Sequence, residues 1–180
     1  METKRLTLLA VLLALSVIIN IVERVVMLGI TSLLGPFFAP LLGAGGLRIG
    51  LANIVVLLVL YTYGTRDAFA ILFMRVFLVG LLYTALFSVP FFTSLVGGAI
   101  AFTLMVLFKS LKGFSLISVS IMGAVGHVMG QMIVAVTIFG FFVIAYFPLM
   151  VLISIPAGFV VGKITIRMIE ILKPITVKEY

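Results

Sequence analysis

The sequence contains no cysteine, one histidine and one aspartate among its 180 residues, and charged residues make up 9% of it. Without cysteine it has no disulfide framework, thiol nucleophile or thiolate metal ligand. One histidine cannot build a multi-histidine metal site. The apolar segments hold no paired carboxylates for Mg²⁺ or acid–base work, and no G-x-x-x-x-G-K-[ST] loop occurs. We therefore expect no catalytic residue, no metal and no cofactor bound by this chain.

What the sequence does contain is apolar residues, which account for 64% of it. A soluble domain carries about 25% charged residues, and 180 residues cannot bury this much apolar surface from water. The composition predicts an all-α integral membrane protein. The net charge of +7 would suggest nucleic acid in a soluble protein. Here the cations lie mostly in connections and at chain ends, which is typical of contact with anionic lipid headgroups.

Apolar runs long enough to approach the roughly 20 residues of a membrane-spanning helix predict six spans in one transmembrane domain, 1–180. Five spans is the competing count, because the second run is short and only Val89 to Phe91 separates the third from the fourth. A secretory signal peptide is an alternative for the first run, but no A-x-A-like site precedes Leu28. The predicted spans are 6–28, 47–63, 68–89, 91–108, 114–139 and 145–169.

The cations alternate between the connections of these spans, which predicts cytoplasmic N and C termini under the positive-inside rule. The alternate, external connections hold only Arg48, with Arg24 close by at the end of span one. The cytoplasmic set comprises Lys4, Arg5, Arg66, Lys109, Lys112, Lys163, Arg167, Lys173 and Lys178.

Polar residues within span one lie on one helical face, because Ser16, Asn20 and Glu23 are spaced i, i+4 and i+7. An ionisable group in hydrocarbon is a functional candidate, and this face is predicted to point into the bundle. Ala10 and Ala14 lie on a different side of the same helix. This strip of small residues has two interpretations, close packing inside the monomer or contact with another membrane protein.

Span five carries Ser120, His127 and Gln131 on one face, among several glycines. Small residues beside polar ones leave room either for a ligand or for close helix crossing. The second span opens after a glycine-rich loop and carries Arg48 and Asn53, typical of the rim and wall of a binding site. At ~1.5 Å per residue, most buried polar residues fall in the outer half of the membrane.

Arg75 is the exception, about 12 Å into span three from the inside. If Arg75 has a purely structural role, its side chain either pairs with a carbonyl or extends to the cytoplasmic interface.

These observations predict a cavity in the outer half, walled by spans one, two, five and six and roofed by the loop Gly35–Gly46. Two arginines against one carboxylate favour a ligand with a carboxylate or phosphate, and apolar walls would hold the rest of it. The predicted substrate-binding residues are Asn20, Glu23, Arg24, Arg48, Asn53, His127 and Gln131.

The Ala10-x-x-x-Ala14 motif, the glycine-rich loop, the run from Leu47 to Ile54 and the six spans resemble the substrate-binding S components of energy-coupling factor transporters. More narrowly, GLRIGLANIVVLLVLYTYG and GHVMGQMIVA resemble the heptaprenyl diphosphate synthase component I, or Gx transporter, family. The resemblance covers nearly the whole chain.

The resemblance implies a six-helix subunit in a prokaryotic plasma membrane that binds a vitamin or similar nutrient in its outer half. Ala10 and Ala14 would dock onto a membrane coupling subunit, and two partner ATPases would consume ATP. The synthase activity in the family's name fits this sequence poorly, since prenyl diphosphate synthases hold Mg²⁺ and diphosphate with aspartate-rich motifs and this sequence has one aspartate. Two alternatives stay open, a non-catalytic membrane subunit of heptaprenyl diphosphate or quinone precursor synthesis, and a partner of a membrane redox complex.

Overall fold

The computed structural model describes residues 2–33 and 50–177, and this part of the chain consists of helices and short connections, without a strand. A π-helical turn, Gly80–Thr84, continues the third helix, and a 3₁₀ helix, Phe141–Tyr146, precedes the sixth. The six helices are α1 (Glu2–Leu33), α2 (Asn53–Thr62), α3 (Thr65–Val79), α4 (Val89–Ser110), α5 (Leu116–Phe139) and α6 (Phe147–Val177).

Five segments of this part of the chain are long and apolar enough to cross a membrane, whereas α2 is a shorter apolar helix. Its ten residues rise about 15 Å, half of the hydrocarbon thickness. The prediction of an all-helical membrane protein is confirmed, and six helices are present in the described residues, but five segments rather than six qualify as candidate membrane spans. The prediction that the second helix spans the membrane as 47–63 is wrong, because that helix begins only at Asn53. The cytoplasmic placement of both termini stays a prediction.

The short helix α2 lies at the centre of the bundle, where all its residues from Asn53 to Leu60 are buried. Apolar side chains from α1, α3, α4 and α5 pack around it. A tight turn joins it to α3 through Gly64, whose φ of +104° is open to glycine and strained for other residues. The turn makes α2 and α3 neighbours with opposite chain directions, so residues equally far from Gly64 lie at similar depth.

Glycines bring α5 into close contact with both of its neighbours. A methyl group on Gly130 would lie 2.5 Å from the Cα of Gly97 on α4, and one on Gly158 of α6 would lie 2.8 Å from the Cα of Ile121. Backbones approach this closely only where no Cβ intervenes. At these positions the close-packing interpretation of the glycines is confirmed.

The fourth helix begins earlier than predicted. Pro90 lies in its first turn, where a missing N–H removes no helical hydrogen bond, and the Ser88 hydroxyl caps the helix by accepting from the N–H of Phe91 at 3.4 Å. The Val89–Phe91 segment that was predicted to separate two spans therefore starts α4 instead.

Candidate functional site

Four polar side chains on α1 are buried, namely those of Ser16, Asn20, Glu23 and Arg24. The Ser16 hydroxyl donates to the carbonyl oxygen of Ala52 at 3.4 Å, in the turn that leads into α2. The prediction that this face of the first helix points into the bundle is confirmed.

Glu23 contacts the turn that precedes α2. The backbone N–H of Gly50 donates to its Oε1 at 2.6 Å, and the Gly50 carbonyl in turn accepts from the N–H of Asn53 at 2.9 Å. Gly50 has a φ of +82°, and a Cβ there would lie 3.2 Å from the Asn53 side-chain nitrogen. Residue 50 therefore favours glycine on both conformational and steric grounds. The Glu23 carboxylate, near the start of α2, is stabilised in addition by the positive end of the helix dipole.

Arg24 is held by three groups within the protein. Its Nε donates to Asn20 Oδ1 at 3.2 Å, and its Nη2 donates to the Ser94 hydroxyl at 2.9 Å and to the Pro90 carbonyl at 3.4 Å. These bonds link α1 to the first turns of α4. Ser94 was not among the predicted site residues, because a lone serine in an apolar segment carries little sequence signal.

Arg75 is 3% exposed and donates from Nη2 to Asn53 Oδ1 at 3.3 Å. The sequence-based separation of Arg75 from the other buried polar residues is therefore wrong. Of its two structural alternatives, Arg75 follows the first, because its partner is a carbonyl oxygen, that of the Asn53 amide. Asn53 and Arg75 lie eleven residues before and after Gly64. This spacing around a hairpin turn is the sequence signal that could have found the pair.

Asn20, Glu23, Arg24, Asn53 and Arg75 form a buried polar cluster, and this cluster concentrates positive charge inside an apolar bundle. Glu23 and Arg24 are both close enough to act electrostatically on Arg75. Among the described residues, neither arginine forms an ion pair with a carboxylate. Two of the Arg75 nitrogens, Nε and Nη1, are buried and have no hydrogen-bond partner there. An unsatisfied buried donor is destabilising by about 1–3 kcal/mol, and more when it is charged.

His127 and Gln131 are buried on α5. The His127 ring packs against α4, since a Cβ on Gly97 would lie 3.1 Å from its Nδ1. Both amide atoms of Gln131 are buried and without a partner within the described residues. Gln131 lies eleven residues after Ser120, close to three full helical turns, so both share one face of α5.

A small cavity of about 10 Å³ lies beside Asn53, with room for about one water molecule. It is surrounded by α2, α4, α5 and α6, three of which match the predicted walls. Arg48 and the loop Gly35–Gly46, the predicted rim and roof, lie outside the described residues. The lining residues are Gly50, Asn53, Leu57, Met105, Ser120, Gly123, Ala124, Gly158 and Val161.

Ala10 and Ala14 are exposed on α1, on the side away from its buried polar face. Larger apolar side chains, including Val11 and Ile18, are also exposed along this helix. Within residues 2–33 and 50–177, no group of three His, Cys, Asp or Glu side chains could hold a metal ion.

The fold and the buried cluster define an apolar helical bundle of the multi-pass membrane class, with a polar centre at the start of a half-length helix. A sequence model of the family described as heptaprenyl diphosphate synthase component I matches residues 12–168, so the chain belongs to this family. No curated protein and no solved structure gave a match.

Proposed function

We propose that this chain is a ligand-binding subunit of a membrane transport complex and performs no catalysis itself. It captures a small molecule in the outer half of the bundle, above the first residue of α2, in the plasma membrane of a prokaryote. Partner subunits would supply the ATP-driven step, as in energy-coupling factor transporters. Ala10 and Ala14 would form the contact with the membrane coupling subunit, because they are small and exposed.

The observation that carries the proposal is the position of the polar cluster at the N-terminus of α2. Because α2 begins inside the apolar bundle, the positive end of its dipole lies within the protein, although its first two N–H groups already donate to the carbonyls of Gly50 and Leu51. Broken helices of this kind form substrate sites in many transporters. Here α1, α3 and α5 direct polar side chains toward the interior, and on α3 and α5 the Nε and Nη1 of Arg75 and both amide atoms of Gln131 have no hydrogen-bond partner among the described residues.

The direct test is mass spectrometry of small molecules released by denaturing the purified full-length chain. We expect one species in near-stoichiometric amounts from the wild type. Asn53→Leu should carry much less of it, because the substitution removes the amide while it keeps the branching and the number of side-chain heavy atoms. Thr103→Val is the matched control, since the Thr103 side chain is exposed and donates to the Ala99 carbonyl of its own helix. Absence of any species from the wild type would contradict the proposal.

The family description favours a second candidate, a non-catalytic membrane component of heptaprenyl diphosphate synthesis. The single aspartate, Asp67, is bonded to Arg5, so this chain lacks the aspartate-rich motifs that hold Mg²⁺ and diphosphate. Prenyl chain elongation by a soluble partner, measured with radiolabelled isopentenyl diphosphate with and without this chain, tests the candidate. Elongation that depends on the chain would support this candidate over transport.

A further inference from the structure

We infer that Arg75 is the anchor for the anionic group of the ligand, and that this group carries one net negative charge, as a carboxylate does. This inference rests on the proposed function and specifies the class of molecule that is bound. Arg75 is not among the predicted substrate-binding residues, because its predicted depth placed it away from them.

The first argument is hydrogen bonding. Arginine carries five N–H donors and cannot be deprotonated in proteins. Arg75 uses Nη2 toward Asn53, while Nε and Nη1 have no partner among the described residues. Arg24, by contrast, has three acceptors from α1 and α4. Of the two arginines that are buried in the described part of the chain, Arg75 is therefore the one with unused donors.

The second argument is charge. Arg24 and Arg75 contribute two buried positive charges, and Glu23 contributes one negative charge. The Glu23 carboxylate already accepts the Gly50 N–H at 2.6 Å. The described cluster is left with one excess positive charge in a low-dielectric interior, where an uncompensated charge is strongly unfavourable. A single carboxylate would neutralise it, whereas a diphosphate would replace the excess positive charge with an excess negative one.

The third argument is the position of the side chain. Asn53, the residue that Arg75 contacts, is the first residue of α2, so the positive end of the helix dipole acts on the same small volume. Helix N-termini bind anions readily, and arginine is over-represented where proteins recognise carboxylates and phosphates. Both are present here on different helices, joined through the Gly64 turn.

The experiment compares the full-length wild type with Arg75→Met, Arg75→Lys and the control Thr103→Val, whose side chain is exposed and bonded to its own helix. The probe is the set of small molecules released by denaturation and identified by mass spectrometry. We expect an acid from the wild type and the control, a loss of roughly tenfold or more in Arg75→Met, and partial retention in Arg75→Lys. A neutral molecule, a cation or a diphosphate would overturn the inference, as would full retention by Arg75→Met.

Thermal unfolding of the ligand-stripped proteins tests whether Arg75 has a merely structural role. If its charge awaits a ligand, Arg75→Met should melt at or above the wild-type temperature, because an unpaired buried charge has been removed. A lower melting temperature for stripped Arg75→Met would mean that the protein itself satisfies Arg75, and would overturn the inference. A released molecule that does not depend on Arg75 leaves the proposed function intact, whereas no released molecule contradicts both.

Discussion

Replacement of Gly130 by alanine tests how α4 and α5 are held together. The added Cβ would lie 2.5 Å from the Cα of Gly97 and 2.7 Å from both its nitrogen and the carbonyl oxygen of Val96. All three are backbone atoms, so no side-chain rotation can relieve the contact. Carbon atoms prefer separations of about 3.5–4.0 Å, so the two helices must move apart by about 1 Å or more.

The magnitude follows from overpacking, which destabilises a well-packed core by about 1–3 kcal/mol. Alanine is also the better helix former by about 1 kcal/mol, which partly hides the effect in a direct comparison with the wild type. Gly29→Ala is the matched control, because Gly29 is helical and its added Cβ would meet nothing within 4 Å. The difference between the two variants then isolates the clash.

The assay is the midpoint of thermal unfolding in lipid nanodiscs, followed by circular dichroism because the chain has no tryptophan. We expect Gly130→Ala to melt about 2–12 °C below Gly29→Ala, taking 2–4 °C per kcal/mol. Equal midpoints would refute the assignment of Gly130 to close helix packing. A loss of released ligand at an unchanged midpoint would restore the alternative, in which the glycine makes room for a ligand.

Further predictions concern the α2 turn, the topology and the partner surface. Gly50→Ala should reduce ligand content by at least tenfold, because the φ of Gly50 is +82° and an added Cβ would lie 3.2 Å from the Asn53 side-chain nitrogen. Unchanged ligand content would show that the turn tolerates a side chain. Single cysteines at the exposed positions Phe87 and Lys112 should react with impermeant reagents from outside and inside respectively, and reaction of both from one side would exclude the cytoplasmic placement of both termini. Tryptophan at Ala10 or Ala14 should abolish co-purification with a coupling subunit while ligand content stays normal. Intact co-purification of both variants would mean that the alanine strip faces lipid only.

Helical spacing correctly predicted that one polar face of the first helix is buried. The i, i+4, i+7 pattern of Ser16, Asn20 and Glu23 placed all three inside the bundle, where the structure has them. Spacing along one helix is sufficient for this, since a buried polar face is cheaper than a polar face in lipid. Spacing does not determine which helix lies opposite, so the bonds from Arg24 to Ser94 and from Gly50 to Glu23 could not be read from it.

The sequence by itself determined the class of the protein, because 64% apolar and 9% charged residues are stable as helices in a bilayer and in few other settings. It also predicted six helices, the number that the described part of the chain contains. Tertiary structure alone decided that the second helix starts at Asn53 and lies wholly inside the bundle. An apolar run has the same composition whether lipid or protein surrounds it, so only packing shows that it is buried.

The same limit explains Arg75. Counting residues along its own helix from the inside predicts that Arg75 lies in the cytoplasmic half. The predicted depth of Asn53 was counted from residue 47 as the outer end of its helix, whereas that helix begins at Asn53 itself. Once the Gly64 turn fixes α2 against α3, the two residues meet at one depth and Arg75 donates to Asn53 at 3.3 Å. Depth in a membrane protein is a property of the assembled bundle, because each helix begins where its neighbours, and not its own composition, allow it to begin.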